Sequence, residues 1–330
     1  MTKQDSQIIK GVAILMMLYL HLFNHPEPLV SSFCIINGVP LANILSRACH
    51  PVSFYLILGG VGLYSVWKSC RGTFKDNVKR VFILYVRYWI ILLIFVTMGC
   101  FLRSEKYPGS LSDIIGNFTS FYTSYNGEYW FLFPYSILTL SAPFLFKLLN
   151  QFKWKLLLLS FIIGIGTSFL ISRFGEKYLF NNMIIYNPLL CFHLLFPFIL
   201  GATLAWTCYR IPVEKFLPNK RLVWIFIIAI FSIPCIIDIS VFYSFYVLIF
   251  ILFFNEAPKC SWVKKSLSFL GNHSMNMWLI HTWFAYYLFH DFIYGFKYPI
   301  VIYFVLLLLS LCTSICVNFI SNPIIKLIKK

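Results

Sequence analysis

Apolar residues along this chain gather in long runs broken by short polar stretches, instead of recurring at the period of a half-buried helix or strand. A bilayer core about 30 Å thick takes about 20 mostly apolar residues per helix, and about 17 suffice. On that ruler ten segments qualify: 8–23, 51–67, 81–102, 129–149, 156–172, 184–207, 222–237, 240–254, 267–289 and 299–321. The seventh and eighth are short and separated only by Asp238 and its neighbours, so they predict a tight hairpin. Residues Asn24-His25-Pro26-Glu27-Pro28 follow the first run without a small-x-small cleavage pattern, so that run reads as a retained helix and not a signal peptide. No repeat, low-complexity tract or long hydrophilic stretch interrupts the series. One transmembrane domain over 1–330 is expected, with no appended soluble domain.

The basic residues orient these segments. Cytoplasmic connections carry an excess of Lys and Arg. The two tails and the connections after each even-numbered segment hold twenty of the 27, in clusters such as Lys75, Lys79 and Arg80 or Lys264 and Lys265. The opposite side holds six, and Arg87 lies inside the third segment. Glu27, Glu105, Asp113, Glu128, Glu176, Asp238 and Asp291 lean the other way. The fold class is therefore an all-α integral membrane protein, a polytopic bundle of about ten transmembrane helices with both termini cytoplasmic, placed in the cell (plasma or inner) membrane.

Composition agrees. The 330 residues are 60% hydrophobic, 20% aromatic and 12% charged, with mean hydropathy +0.80. Soluble domains carry about 25% charged residues, so this chain cannot cover a water-facing surface. The same numbers exclude a disordered chain, a disulfide-stapled module and a nucleic-acid-binding domain. The net charge of +16 belongs to the loop clusters. The ten cysteines lie mostly in apolar runs, with no CxxC spacing; Cys34 and Cys49 share one polar loop and are the pair placed to bridge.

Ionisable side chains at membrane depth are costly and mark cavities or partners. Here they are Lys10, His21, Arg87, Glu128, His193 and His281. Lys10 and His21 are eleven residues apart, about 20° from three full turns, so they share one helix face about 16 Å apart along the axis. The bland alternative is a snorkelling lysine and an interfacial histidine. His25 continues the stripe at i+4, a metal-binding spacing, yet no further ligand completes a set, so no metal is expected. Arg87 lies two turns from the Lys79–Arg80 cluster, on Arg80's face. No carboxylate shares its half of the membrane, which favours a bound anion over an ion pair. Glu128 and Trp130 open the fourth segment, where an acid at a helix start and an interfacial Trp also have ordinary reasons. Asn272 or Ser274 reads as the N-cap of the ninth segment, with His281 seven residues beyond Ser274 on its face. His193 reads as a satisfied core histidine. A cationic cytoplasmic mouth leading to buried imidazoles suits a polyanionic donor whose reactive end reaches a general base, and a coenzyme A thioester has that shape.

These residues carry a resemblance. The chain resembles, over essentially its whole length, the membrane-bound acyltransferase-3 family, bacterial multi-pass enzymes that O-acylate surface glycans. Lys10 and His21 match its first-helix pattern of a basic residue, ten intervening residues and a histidine, with Lys in place of the usual Arg. Phe54 through Gly59-Gly60 is similar to its second-helix Ser-Gly signature, with Gly59 for Ser. Arg87 matches the second arginine of R-x-x-R, with Leu84 at the first. Trp130-Phe131-Leu132 and Leu270-Gly271…Ser274…Ile280-His281 match two later signatures. The resemblance implies acyl transfer, commonly acetyl, from acyl-CoA to a sugar hydroxyl of a cell-surface or lipid-linked glycan. His21 would be the catalytic base, Lys10, Arg87 and Arg80 the acyl-CoA contacts, and Trp130, Glu128, Ser274 and His281 the site lining. Acyl-CoA is then a co-substrate with no tightly bound cofactor, and the partners are the glycan acceptor and membrane lipid, not nucleic acid. The competing readings are a transporter or flippase for a lipid-linked sugar and a non-catalytic scaffold. The chain shows neither an internal repeat nor paired Gly/Pro-broken half-helices to favour transport.

Overall fold

The computed structural model describes residues 1–69, 72–208, 222–237 and 240–329. Arg71, Arg210, Lys215, Lys220, Arg221, Asp238 and Lys330, used above to orient the chain, lie outside the described residues. The protein is all-α and polytopic: 81% of it is helical, and the strand content among the described residues is one short hairpin, Ile35–Ile36 (β1) with Val39–Pro40 (β2). Asn37 and Gly38 turn that hairpin with positive φ.

Helices occupy all ten predicted segments. They are α1 (Lys3–Phe23), α2 (Leu41–Ser46), α3 (Pro51–Lys68), α4 (Phe74–Leu102), α5 (Leu111–Thr119), α6 (Leu132–Phe152), α7 (Trp154–Phe174), α8 (Met183–His193), α9 (Leu195–Thr207), α10 (Leu222–Ile236), α11 (Tyr243–Glu256), α12 (Ser261–Thr282), α13 (His290–Tyr294) and α14 (Pro299–Lys329). Among the described residues seven helical stretches are long and apolar enough to cross a bilayer, and α10 and the stretch Ser240–Glu256 are apolar but shorter. Only 22% of the apolar window in the α7 stretch is buried, so most of it faces lipid.

Local chemistry sets the helix starts. Thr2 with Asp5, Thr73 with Asp76 and Ser110 with Asp113 each form a reciprocal capping box, satisfying two of the backbone donors a helix start leaves unpaired. Two expectations change. The ninth segment begins earlier than expected: α12 runs from Ser261, so Gly271–Ser274 is mid-helix and Ser274 Oγ donates to the Gly271 carbonyl at 2.9 Å instead of capping. Its first turns are amphipathic and helical without being apolar, which a hydrophobic ruler cannot register. The sixth segment is split at Leu194 into α8 and α9. His193 closes α8 with its Nδ1 buried and lacking a partner among the described residues, and so is not a fully satisfied core residue.

The chain divides into two compact units, Met1–Phe54 with Arg210–Pro323, and Tyr55–Tyr209 with Ile324–Lys330. In the first, α1 and α12 touch main chain to main chain. A Cβ on Gly11 would fall on the Leu267 carbonyl oxygen, and one on Gly271 on the Gln7 carbonyl oxygen. Met277, Leu279, Ile280 and Trp283 bury the α12 side completely, or nearly so, and Ala13, Ile14 and Leu18 the α1 side. Helix α14 turns a polar seam of Ser310, Ser314 and Ser321 inward with Ile302, Leu306 and Val317. In the second unit α3 and α9 meet the same way, Gly60 on the Phe198 carbonyl and Gly201 on that of Ile57. Beside that crossing Phe146 packs against Tyr64 and Phe198.

Small residues let membrane helices approach closely enough to gain packing energy that lipid would otherwise supply. Neither carbonyl can move aside as a flexible side chain would. Gly11→Val and Gly271→Val are expected to cost at least about 3 kcal/mol, the top of the usual overpacking range. Gly166→Ala, which meets nothing within 4 Å, is expected to be neutral. Thermal unfolding of the detergent-solubilised protein followed by size exclusion checks this; equal midpoints for all three variants contradict it.

Candidate active site

The glycine crossing fixes where two imidazoles meet. Gly11 and Gly271 face each other's helices at one level, and His21 and His281 each lie ten residues farther on, about 15 Å up the axis. The two contact points follow in the same order on both helices, so α1 and α12 run parallel. At the upper point His281 Nε2 stands 2.9 Å from His21 Nδ1, with ring centroids 4.8 Å apart. Both rings are buried.

The partners determine which nitrogens carry hydrogen. Among the described residues His281 Nδ1 faces carbonyl oxygens, Trp278 at 2.8 Å and Met277 at 3.2 Å, so it donates. In a neutral ring its Nε2 then holds the lone pair and accepts from His21 Nδ1–H. His21 Nδ1 also lies 3.1 Å from the Met17 carbonyl, a second acceptor consistent with a hydrogen there. The basic lone pair of His21 is thereby placed on Nε2. The arrangement repeats the logic of an oriented catalytic base, with a second imidazole where a carboxylate often stands.

The end of α1 is clamped from several sides. Tyr286, on the π-helical turn Trp283–Tyr287, donates to the His21 carbonyl. Tyr294 donates to the Leu22 carbonyl at 3.2 Å, and Asn43 and Ser46 to that of Phe23 at 2.8 and 3.0 Å. Last-turn carbonyls find no N–H donor within their own helix, so these side-chain donors fix the backbone that carries His21. Below, His273, Asn276, Ser314 and Asn318 form a polar network between α12 and α14, with His273 Nδ1 2.9 Å from Ser314 Oγ and Asn276 donating to Asn318 at 3.0 Å. Sequence reasoning missed Tyr286 and this network. The inward i, i+4 spacing of Ser310 and Ser314 is the signal that could have found the latter.

Lys10, His21, Ser274 and His281 all belong to the first unit. Lys10 is half-buried on α1 with no hydrogen bond or ion pair among the described residues. Lys259, between α11 and α12, is a useful contrast. Its ammonium donates to the Phe254 and Ala257 carbonyls, the latter at 2.7 Å, and lies 4.5 Å from the Phe254 ring centre. Burial pushes it down to about 8. It caps a helix, whereas Lys10 caps nothing.

Arg80, Arg87, Glu128 and Trp130 belong to the second unit. Arg80 is exposed near the start of α4. Arg87, seven residues on, is half-buried with its Nε shielded from solvent and unpartnered among the described residues. Glu128 and Trp130 sit on the 3₁₀ turn Gly127–Phe131 that leads into α6, and Asn126 caps that turn by accepting from the Glu128 amide at 3.1 Å. The loop that precedes it is tightly knit: Asn117 holds Ser124 and the Tyr125 amide, and Ser110 hydrogen bonds keep the Asp113 carboxyl below its usual range. Cys34 and Cys49 are free thiols, the first exposed and the second buried, so the bridge expected between them is absent. Among the described residues no group of three or more His, Cys, Asp or Glu is placed to hold a metal ion.

A multi-pass helical membrane protein with a buried, mutually hydrogen-bonded histidine pair is the class that fold and site define. Residues 5–319 match the acyltransferase-3 profile, described as an acyltransferase domain, and the chain belongs to that family. It is therefore a membrane acyltransferase, moving acyl groups other than aminoacyl groups. No curated protein and no solved structure matches it.

The tautomer assignment is directly measurable. Nitrogen-15 NMR of histidine-labelled protein is expected to show both His21 and His281 in the Nδ1–H form at neutral pH, and loss of the His281 ring in His281→Ala is expected to shift the His21 resonances. A His21 ring protonated on Nε2 contradicts the assignment.

Proposed function

We propose that the protein is an O-acyltransferase that moves an acyl group, most simply acetyl, from acyl-CoA to a sugar hydroxyl of a cell-surface or lipid-linked glycan in the cell membrane. The observation that carries this reading is the oriented pair His21–His281, which gives an acyltransferase one buried nitrogen base with a defined lone pair. The acceptor hydroxyl gives its proton to His21 Nε2 as its oxygen attacks the thioester carbonyl carbon. The imidazolium that forms is stabilised by the hydrogen bond from its Nδ1–H to His281 Nε2. As the tetrahedral intermediate collapses, the carbon–sulfur bond breaks, an ester remains on the sugar, and the proton passes from Nε2 to the departing thiolate.

Lys10, Arg87 and Arg80 are the proposed contacts for the coenzyme A phosphates. The support is that Lys10 and Arg87 are half-buried cations without counter-ions among the described residues, and a guanidinium suits bidentate phosphate binding. Trp130, Glu128, Ser274 and His281 line the proposed site. Ten crossings with both termini cytoplasmic bring the donor to the charged side. Parallel α1 and α12 support that count, since two parallel membrane helices need an odd number of crossings between them, and seven predicted segments lie there. Membership of an acyltransferase family favours chemistry over substrate transport.

Removing a positioned general base costs about 10²–10⁴ in rate. His21→Ala is expected to lose transfer from acetyl-CoA to that extent while inserting normally into membranes. Lys10→Ala and Arg87→Ala are expected to raise KM for acetyl-CoA by about tenfold to a hundredfold, the loss of one charge-assisted hydrogen bond each. Thiol release assayed on purified protein with a glycan acceptor tests both; full activity in His21→Ala refutes the assigned base.

A further inference from the structure

The loop that follows His21 folds over a cavity of about 180 Å³, bounded by Phe23 two residues on, by the Asn24–Ser32 loop and by the β2–α2 corner. Its polar lining includes His25, Glu27 and Asn43, and its flat apolar walls include Pro26, Pro28 and Pro40. The volume is below the ~300–1,000 Å³ of sites for drug-sized ligands, which limits the occupant to about one ring. The mixture of surfaces is equally selective. A carboxylate, an amide and an imidazole hydrogen-bond to hydroxyls, while proline faces take the C–H faces of a saturated ring. A planar aromatic ligand would need no such set of polar groups, and a phosphate would meet Glu27.

The cavity is also built onto the catalytic helix. Asn43, one of its walls, donates to the Phe23 carbonyl at 2.8 Å. Glu27 is held by His290, whose Nε2 lies 3.4 Å from Oε2, and His290 in turn lies 2.9 Å from Asp291 through Nδ1. The His290 ring packs 4.7 Å from Tyr294, which donates to the Leu22 carbonyl. A ligand in the cavity would therefore be registered to the same last turn of α1 that carries His21, about 3 Å along the axis from where the cavity begins.

We infer that this cavity is the acceptor subsite, holding one sugar ring of the glycan by hydrogen bonds to Glu27, His25 and Asn43. The inference rests on the O-acyltransferase reading for its place in the reaction. Binding itself does not depend on that reading, and this separates the two in the test.

Wild-type protein in lipid nanodiscs is titrated with the methyl glycosides of glucose, galactose and N-acetylglucosamine, with binding followed by saturation-transfer NMR. At least one probe is expected to bind, at least tenfold more weakly to Glu27→Gln and His25→Ala, and not measurably to Ala42→Phe, whose ring fills the cavity. Coenzyme A affinity is expected to be unchanged in all three, which also reports that they are folded. Failure of every probe to bind wild type, or wild-type sugar affinity in Glu27→Gln and Ala42→Phe, overturns the subsite. Sugar binding that depends on Glu27 without transfer from acetyl-CoA refutes the proposed reaction and leaves the subsite standing. Transfer with unchanged sugar KM in these variants does the reverse.

Discussion

Everything placed around His21 depends on two helices meeting without side chains between them. At Gly11 and Gly271 the main chains of α1 and α12 are in contact, and each glycine sits on a carbonyl of the other helix. In lipid there is little hydrophobic drive for helices to associate, so close packing has to come from surfaces that fit. A contact of this kind has almost no freedom of register: sliding one helix by a residue drives a carbonyl into a side chain. With the register set at Gly11 and Gly271, the separation of His21 from His281 follows from helical rise alone.

The second requirement is that every polar atom carried into the interior has a purpose. An unsatisfied buried donor or acceptor costs about 1–3 kcal/mol, and the last turn of a helix brings several such acceptors. Tyr286, Tyr294, Asn43 and Ser46 meet those of His21, Leu22 and Phe23. The satisfaction is also positional, since donors arriving from different elements leave the backbone under His21 nowhere to move. In the same way the carbonyls of Met277 and Trp278 decide the tautomer of His281, and His281 decides that of His21. The lone pair of the proposed base is thus oriented by the hydrogen-bonding needs of ordinary helix carbonyls, passed on through His281.

Much of this was legible from single-helix arithmetic. Run lengths located every long helix, because the bilayer imposes a length that sequence must meet. Spacing identified Lys10 with His21 and Ser274 with His281 as same-face pairs. What arithmetic on one helix cannot deliver is which faces meet. Nothing in the text around His21 announces His281 as its partner 260 residues away, and the tyrosines that clamp α1 look like interfacial aromatics. The ninth segment falls short of the helix start because Ser261–Ser266, with Ser261, Lys264 and Lys265 exposed, is too polar to register on a hydrophobic ruler. The Cys34–Cys49 pairing failed for a related reason, since a shared loop brings two residues near in sequence while α2 carries one inward and leaves the other exposed.

The cations present the opposite case to the histidines. Lys259 shows how this protein treats a lysine it needs only for structure, surrounding its ammonium with helix-end carbonyls and an aromatic face. Among the described residues Lys10 and Arg87 receive no such treatment, although an uncompensated charge in apolar surroundings costs several kcal/mol. Two cations left unpaired among the described residues cost free energy that the proposed polyanionic donor would relieve. On the proposed function, a phosphorylated donor would gain more there than its new hydrogen bonds alone, and a neutral thioester would not. On that reading recognition by charge stays separate from the proposed chemistry, where the lone pair of His21 is oriented by helix carbonyls through His281.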